Sequence, residues 1–109
     1  MTAPVQLTTV MKTLADPTRR AVFERIAREG EVAATGLVRG SRVSQPAVSQ
    51  HLRALREAGL VTERRDGRQV HYRIAPEGLA PLLDWLGHYQ AFWRERFDNL
   101  EKLLKETES

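Results

Sequence analysis

The chain has 109 residues, a formal net charge of +3 at neutral pH and no cysteine. That length suits one compact domain spanning residues 1–109. The absent cysteines exclude disulfides, thiolate metal sites and cysteine nucleophiles, so a cytoplasmic protein is expected. No apolar run approaches the roughly 18 residues of a membrane span, and the N-terminus lacks the basic-then-apolar pattern of a targeting segment, so no membrane association is expected.

Leu7, Val10, Met11 and Leu14 fall at i, i+3, i+4 and i+7, which predicts a first helix with one apolar face. "ADPTRRAVFERIAREG" predicts a second. Asp16 can cap its free amides, Pro17 fits the first helical position, Val22, Phe23 and Ile26 form the buried face, and Gly30 suits the stop. In "EVAATGLVRGS" a third helix is weakened by Gly36 and Gly40, each costing roughly 1 kcal/mol relative to alanine. Leu37 and Val38 are its apolar anchors.

A fourth helix is predicted over 44–58, capped by Ser44, with Val48, Leu52 and Leu55 at i, i+4 and i+7 and Gly59 at its end. Its buried stripe excludes Ser44, Gln45, Ser49, Gln50 and Arg53, which point outward and crowd its N-terminal end. A hairpin follows over 60–74. There Val70, Tyr72 and Ile74 alternate with Gln69, His71 and Arg73, and Asp66-Gly67 is the expected two-residue turn. Arg64, Arg65 and Arg68 cluster near its tip. The last predicted helix runs from about Glu77 to Lys105, because Pro81 is tolerated only in a first turn. It carries five of the seven aromatic residues, Trp85, Tyr89, Phe92, Trp93 and Phe97, and Leu82, Leu86, Leu100 and Leu104 extend the stripe. The expected architecture is mainly α, five helices with a small β-hairpin wing.

Charge is unevenly spread along these elements. Residues 39–73 hold eight arginines against three acidic side chains, whereas 76–109 hold four basic and seven acidic residues. A basic middle with a small, polar helix start implies a polyanionic partner. Two short helices followed by a basic hairpin form a winged helix-turn-helix plan. In it, the polar N-terminal turn of the helix over 44–58 can enter a DNA major groove. Gln45 and Gln50 are suited to adenine, Ser44 and Ser49 to base edges or phosphate, and the Ala47 methyl to thymine. His51 and Arg53 flank these positions, while Arg64, Arg65 and Arg68 suit phosphates or a minor groove. Arg19 and Arg20 are read equally as phosphate contacts or as a solvated face.

"LADPTRRAVFERI" followed by "VSQPAVSQHLRALREAGLVTERRDGRQVHYRI" resembles the ArsR family of bacterial winged-helix repressors over about residues 7–75. The resemblance implies a homodimer that binds double-stranded DNA at an operator and leaves when a small-molecule or protein effector alters it. On that pattern Ser44, Gln45, Ser49, Gln50 and His51 lie on the recognition helix and Arg64, Arg65 and Arg68 in the wing. The family's metal-binding cysteines are absent, and Asp84 with His88 supplies only half of its other metal site, so a non-metal-sensing branch without cofactor is expected.

The apolar residues of the first and last helices exceed what one small core can cover. Leu7, Val10, Met11, Leu14, Trp85, Tyr89, Phe92, Trp93 and Phe97 are therefore expected at a dimer interface. A ligand groove lined by Trp85, Tyr89 and Trp93 is the other use of the same residues. Two further alternatives stand beside the DNA reading: a winged-helix protein-interaction module, and a metal-responsive repressor using Asp84 and His88. No enzymatic function is expected, since there is no phosphate-binding glycine loop and the serines near His51 have no orienting carboxylate.

Overall fold

A computed structural model describes residues 3–108. In chain order it contains α1 (Ala3–Ala15), α2 (Pro17–Glu29), β1 (Glu31–Ala33), α3 (Ala34–Arg39), α4 (Gln45–Glu57), β2 (Val61–Asp66), β3 (Gln69–Ile74), a 3₁₀ turn (Pro76–Leu79), α5 (Ala80–Gly87) and α6 (Gln90–Glu108). The three strands form one antiparallel sheet in the order β1-β3-β2.

Local chemistry explains most of the boundaries. The Asp16 carboxylate accepts the Arg19 amide at 3.0 Å, and Pro17 opens α2 where no amide is needed. Ser44 accepts the Ala47 amide at the start of α4. Ile26, Leu37, Leu55, Leu60 and Val48 are the largest fully buried side chains. Val10, Val22, Phe23, Val32, Leu52 and Val61 complete a single core that joins α1, α2, α3 and α4 to the sheet.

Four expectations are corrected. Among the described residues six α-helices are present, not five, because the last predicted helix breaks between α5 and α6. In an unbroken helix the Asp84 carbonyl would accept the His88 amide; here it accepts the His88 ring Nδ1 at 2.8 Å instead. The backbone amides of His88 and Tyr89 tighten onto Trp85 and Leu86 by i→i+3 bonds, in a turn already weakened by Gly87. Second, the hairpin is part of a three-stranded sheet: β1 is only three residues long, too short for periodicity to reveal. Third, Asp66 pairs with Gln69, so the two turn residues are Gly67 and Arg68 rather than Asp66 and Gly67. Gly67 has φ 63° and Arg68 has no positive φ, the pattern of a turn with glycine in its first central position. Fourth, Val10, expected at a dimer interface, is 2% exposed and belongs to the chain's own core.

Candidate nucleic-acid interface

The site is built on α4. Val48, Leu52 and Leu55 anchor it in the core, and the 3.6-residue period turns Ser44, Gln45, Pro46, Ser49, Gln50 and Arg53 to the exterior. Ala47 is half-buried. The N-terminal two turns of α4, with the Ser44 cap, thus present two amides and two hydroxyls, small enough to enter a groove and able both to donate and to accept. Ser44 is shared, since its hydroxyl also caps the helix.

Two expected site residues on α4 are held by protein partners. The half-buried His51 faces α2, where its Nδ1 accepts from Arg19 Nε at 3.4 Å. Arg19 also donates to the Thr13 carbonyl, which makes it a brace between α1, α2 and α4. Arg53 pairs with Glu57 one turn on, at 3.1 Å.

The wing divides its arginines by strand periodicity. Arg64 lies opposite His71 and Arg65 opposite Val70, so the two side chains emerge on opposite faces of the sheet. Arg64 donates to Glu31 at 2.6 Å and stands 3.9 Å from Asp66. The Arg64 hydrogen bond holds the Glu31 carboxyl below the usual carboxylate range, and Glu31 in turn raises the Arg64 guanidinium. Among the described residues Arg65 and Arg68 form no salt bridge. On the Arg65 face, Tyr72 donates to Glu63, which also pairs with Arg56 at 3.1 Å. Burial first, then Glu63, pushes the Tyr72 phenol up.

Three features of this surface escaped sequence reasoning. Arg39 and Arg42 are exposed just ahead of α4, without a salt bridge among the described residues. Their signal was present in "VRGSRVS" as part of the basic block. Between α3 and α4 lies a cavity of about 280 Å³, with Ala34, Val38, Val48 and Leu52 beneath Thr35, Arg39, Gln45 and Ser49. Glu31 is the third, and only the sheet register places it beside the wing.

The remaining expected site residues lie elsewhere. Leu7 and Leu14 are partly buried and Met11 is 38% exposed on α1, which packs against α2 and α5. Trp85 and Tyr89 meet edge to face, and so do Phe92 and Trp93, but all four and Phe97 are exposed. Asp84 and His88 meet through the Asp84 backbone carbonyl, with the His88 ring nitrogen donating. Among the described residues no group of three or more potential metal ligands is gathered, and no helix is long and apolar enough to cross a membrane. A cavity of about 540 Å³ beside α1 and α5 is rimmed by Glu57, Glu77 and Asp84, the wrong sign for a polyanion.

Comparison with known proteins agrees with this geometry. Residues 14–64 match a family described as a helix-turn-helix domain. The chain is 48% identical over 68 residues to the arsenic resistance transcriptional regulator ArsR1 of Pseudomonas putida, a match that spans 62% of this chain and 53% of that protein. It thus spans about half the length of that relative. It is 43% identical over 91 residues to the HTH-type transcriptional regulator Rv2034 of Mycobacterium tuberculosis, covering 84% of this chain and 81% of the other. Among solved structures, the ArsR family transcriptional regulator RHA00566 superposes with a TM-score of 0.72 at 30% identity, over 84% of this chain and 93% of that one. A homodimeric winged helix-turn-helix DNA-binding domain from Mycobacterium bovis does so with a TM-score of 0.63 at 31% identity, over 79% of each chain. A shared fold, a relative matched along most of its length and a buried α4 with an exposed polar turn coincide: the chain belongs to the ArsR family of winged helix-turn-helix transcriptional regulators.

Proposed function

We propose that the protein is a homodimeric, sequence-specific binder of double-stranded DNA that represses transcription from an inverted-repeat operator. The observation that carries this reading is the N-terminal end of α4, where Gln45, Ser49 and Gln50 stand exposed over the first two turns of a helix whose opposite face is fixed in the core. Base edges are read by Gln45 and Gln50, with Ser44, Ala47 and Ser49 beside them. Arg65 and Arg68 on the wing, and Arg39 and Arg42 ahead of α4, meet phosphate and fix the register. Residues 1–109 act as one DNA-binding unit with its dimer contacts at the two ends. No catalytic step is part of this reading.

Dimerisation rests on Trp85, Tyr89, Phe92, Trp93 and Phe97, together with Leu7, Met11 and Leu14 of α1. The Mycobacterium bovis relative, described as homodimeric, supports a two-chain assembly. Two-fold pairing would set two recognition helices about one DNA turn, roughly 34–36 Å, apart. The test is a footprint on DNA from immediately upstream of the protein's own gene. Protection of an inverted repeat, abolished by Gln45→Ala with Gln50→Ala, is the expected result; equal affinity for every duplex would refute sequence-specific repression.

A further inference from the structure

β1 pairs with β3 along three rungs and ends where Ala33 faces His71. β2 and β3 continue past that point to the Asp66–Gln69 rung. The wing is therefore three-stranded at its base and, over residues 65–70, only a two-stranded ribbon, which is marginally stable in water. Yet this ribbon carries Arg65 and Arg68.

Glu31 sits at the junction. Residues facing one another across the strands share a side of the sheet, which places Glu31, Arg73, His71 and Arg64 on one face. Glu31 gathers all three: Arg64 Nη2 at 2.6 Å, His71 Nδ1 at 3.7 Å and Arg73 Nε at 3.8 Å. The other terminal nitrogen of Arg64 stands 3.9 Å from Asp66, the last residue before the turn. One guanidinium thus ties β1, across the whole width of β3, to the outer end of the wing. Arg64 already spends a short charge-assisted hydrogen bond on Glu31 and shares its charge with Asp66, so a phosphate would meet a guanidinium that is largely neutralised.

We propose that Glu31 is a positioning residue for the wing, using Arg64 as a clamp that fixes how the ribbon presents Arg65 and Arg68, and that Arg64 is not itself a phosphate contact. This rests on the DNA-binding reading above. The clamp makes an unusual demand on sign. Neutralising a carboxylate on a protein that binds a polyanion raises affinity on charge grounds alone; loss of a clamp lowers it, because ordering the wing is then left to the binding step.

Two measurements on the full chain decide the matter, using the wild type, Glu31→Gln, Arg64→Gln and the double variant. Hydrogen exchange without DNA should show faster exchange of the amides of residues 65–70 in both single variants, while the core helices stay protected. Titration of operator duplex across a salt series should show each single variant binding about three- to tenfold more weakly with an unchanged salt slope, and the double variant no weaker than either. Tighter binding by Glu31→Gln, or a salt slope reduced by about one per protomer in Arg64→Gln, would overturn the proposal in favour of a phosphate-contacting Arg64. Failure of the wild type to bind any duplex would instead refute the DNA reading. Exchange judges the clamp separately, and unchanged exchange at 65–70 in both variants overturns it.

Discussion

Gly78 shows how little room the fold leaves at single positions. A Cβ placed there would collide with the carbonyl oxygen of Gly59, where the 3₁₀ turn crosses the loop after α4. Both partners are backbone and neither can swing aside, so Gly78→Ala should cost about 1–3 kcal/mol in a urea titration. Gly40 is the contrasting case: a Cβ there meets the guanidinium of Arg25, the far end of a flexible side chain. Gly40→Ala should therefore stay within about 0.5 kcal/mol of wild type. At Asp16 the Arg19 amide holds the carboxyl below its ordinary value. Because the folded value is the depressed one, its contribution is complete above the unfolded value and is lost as pH falls through the folded value. The melting temperature of Asp16→Ala should lie below that of wild type at pH 7, and the gap should close on acidification. A gap that widens in acid would contradict the capping geometry.

Within α4 and the wing, residues of similar polarity carry different tasks because their neighbours differ. Gln45 and Gln50 stand exposed on a rigid helix, so Gln45→Ala or Gln50→Ala should reduce preference for the operator by about 1–3 kcal/mol while leaving non-specific binding in place. Arg65→Ala with Arg68→Ala should weaken all duplexes alike and flatten the salt dependence, by roughly 0.9 in log–log slope for each phosphate that is no longer neutralised. Fluorescence anisotropy with operator and scrambled duplexes over a salt series separates the two behaviours. Equal weakening on both duplexes for the glutamine variants would remove them from base reading. The break between α5 and α6 sets a third task apart. Asp84 and His88 are joined by no third potential ligand among the described residues, and a stable metal site needs more than two. Micromolar zinc, nickel or cobalt should leave operator affinity within twofold, and a tenfold fall abolished by His88→Ala would show otherwise.

The whole molecule is elongated, 63 × 37 × 21 Å, with a radius of gyration of 18.5 Å against about 13 Å for a compact domain of 100 residues. The excess is α6, about 28 Å of helix whose Phe92, Trp93, Phe97, Leu100, Leu103 and Leu104 are all 46–64% exposed. Monomeric proteins rarely leave so large an apolar surface bare. Trp93→Glu, or removal of residues 90–108, should give monomers by sedimentation that lose tight operator binding. The melting transition of the winged helix should survive, because no residue of α6 belongs to the core. A cut at residue 76 would be harsher, since Leu79 and Leu82 pack against that core. A wild-type chain that sediments as a monomer at micromolar concentration and still binds its operator tightly would refute the dimer.

The second and fourth helices, the hairpin and the polar start of α4 are legible from neighbouring residues alone, because each follows from a local pattern. An Asp-Pro start, a serine cap, the stripe Val48, Leu52 and Leu55 and the strand alternation of 69–74 are local chemistry, legible without tertiary contacts. Tertiary structure decided what lies between distant residues. β1 exists through its pairing with β3, and Glu31 reaches Arg64 across 33 positions of chain. Val10 was indistinguishable from its apolar neighbours until α1 packed on α2 and α5 and buried it. Periodicity tells which residues share a face, whereas the identity of the surface covering that face, and which arginine is already held by a carboxylate, depends on the long-range packing of the folded chain.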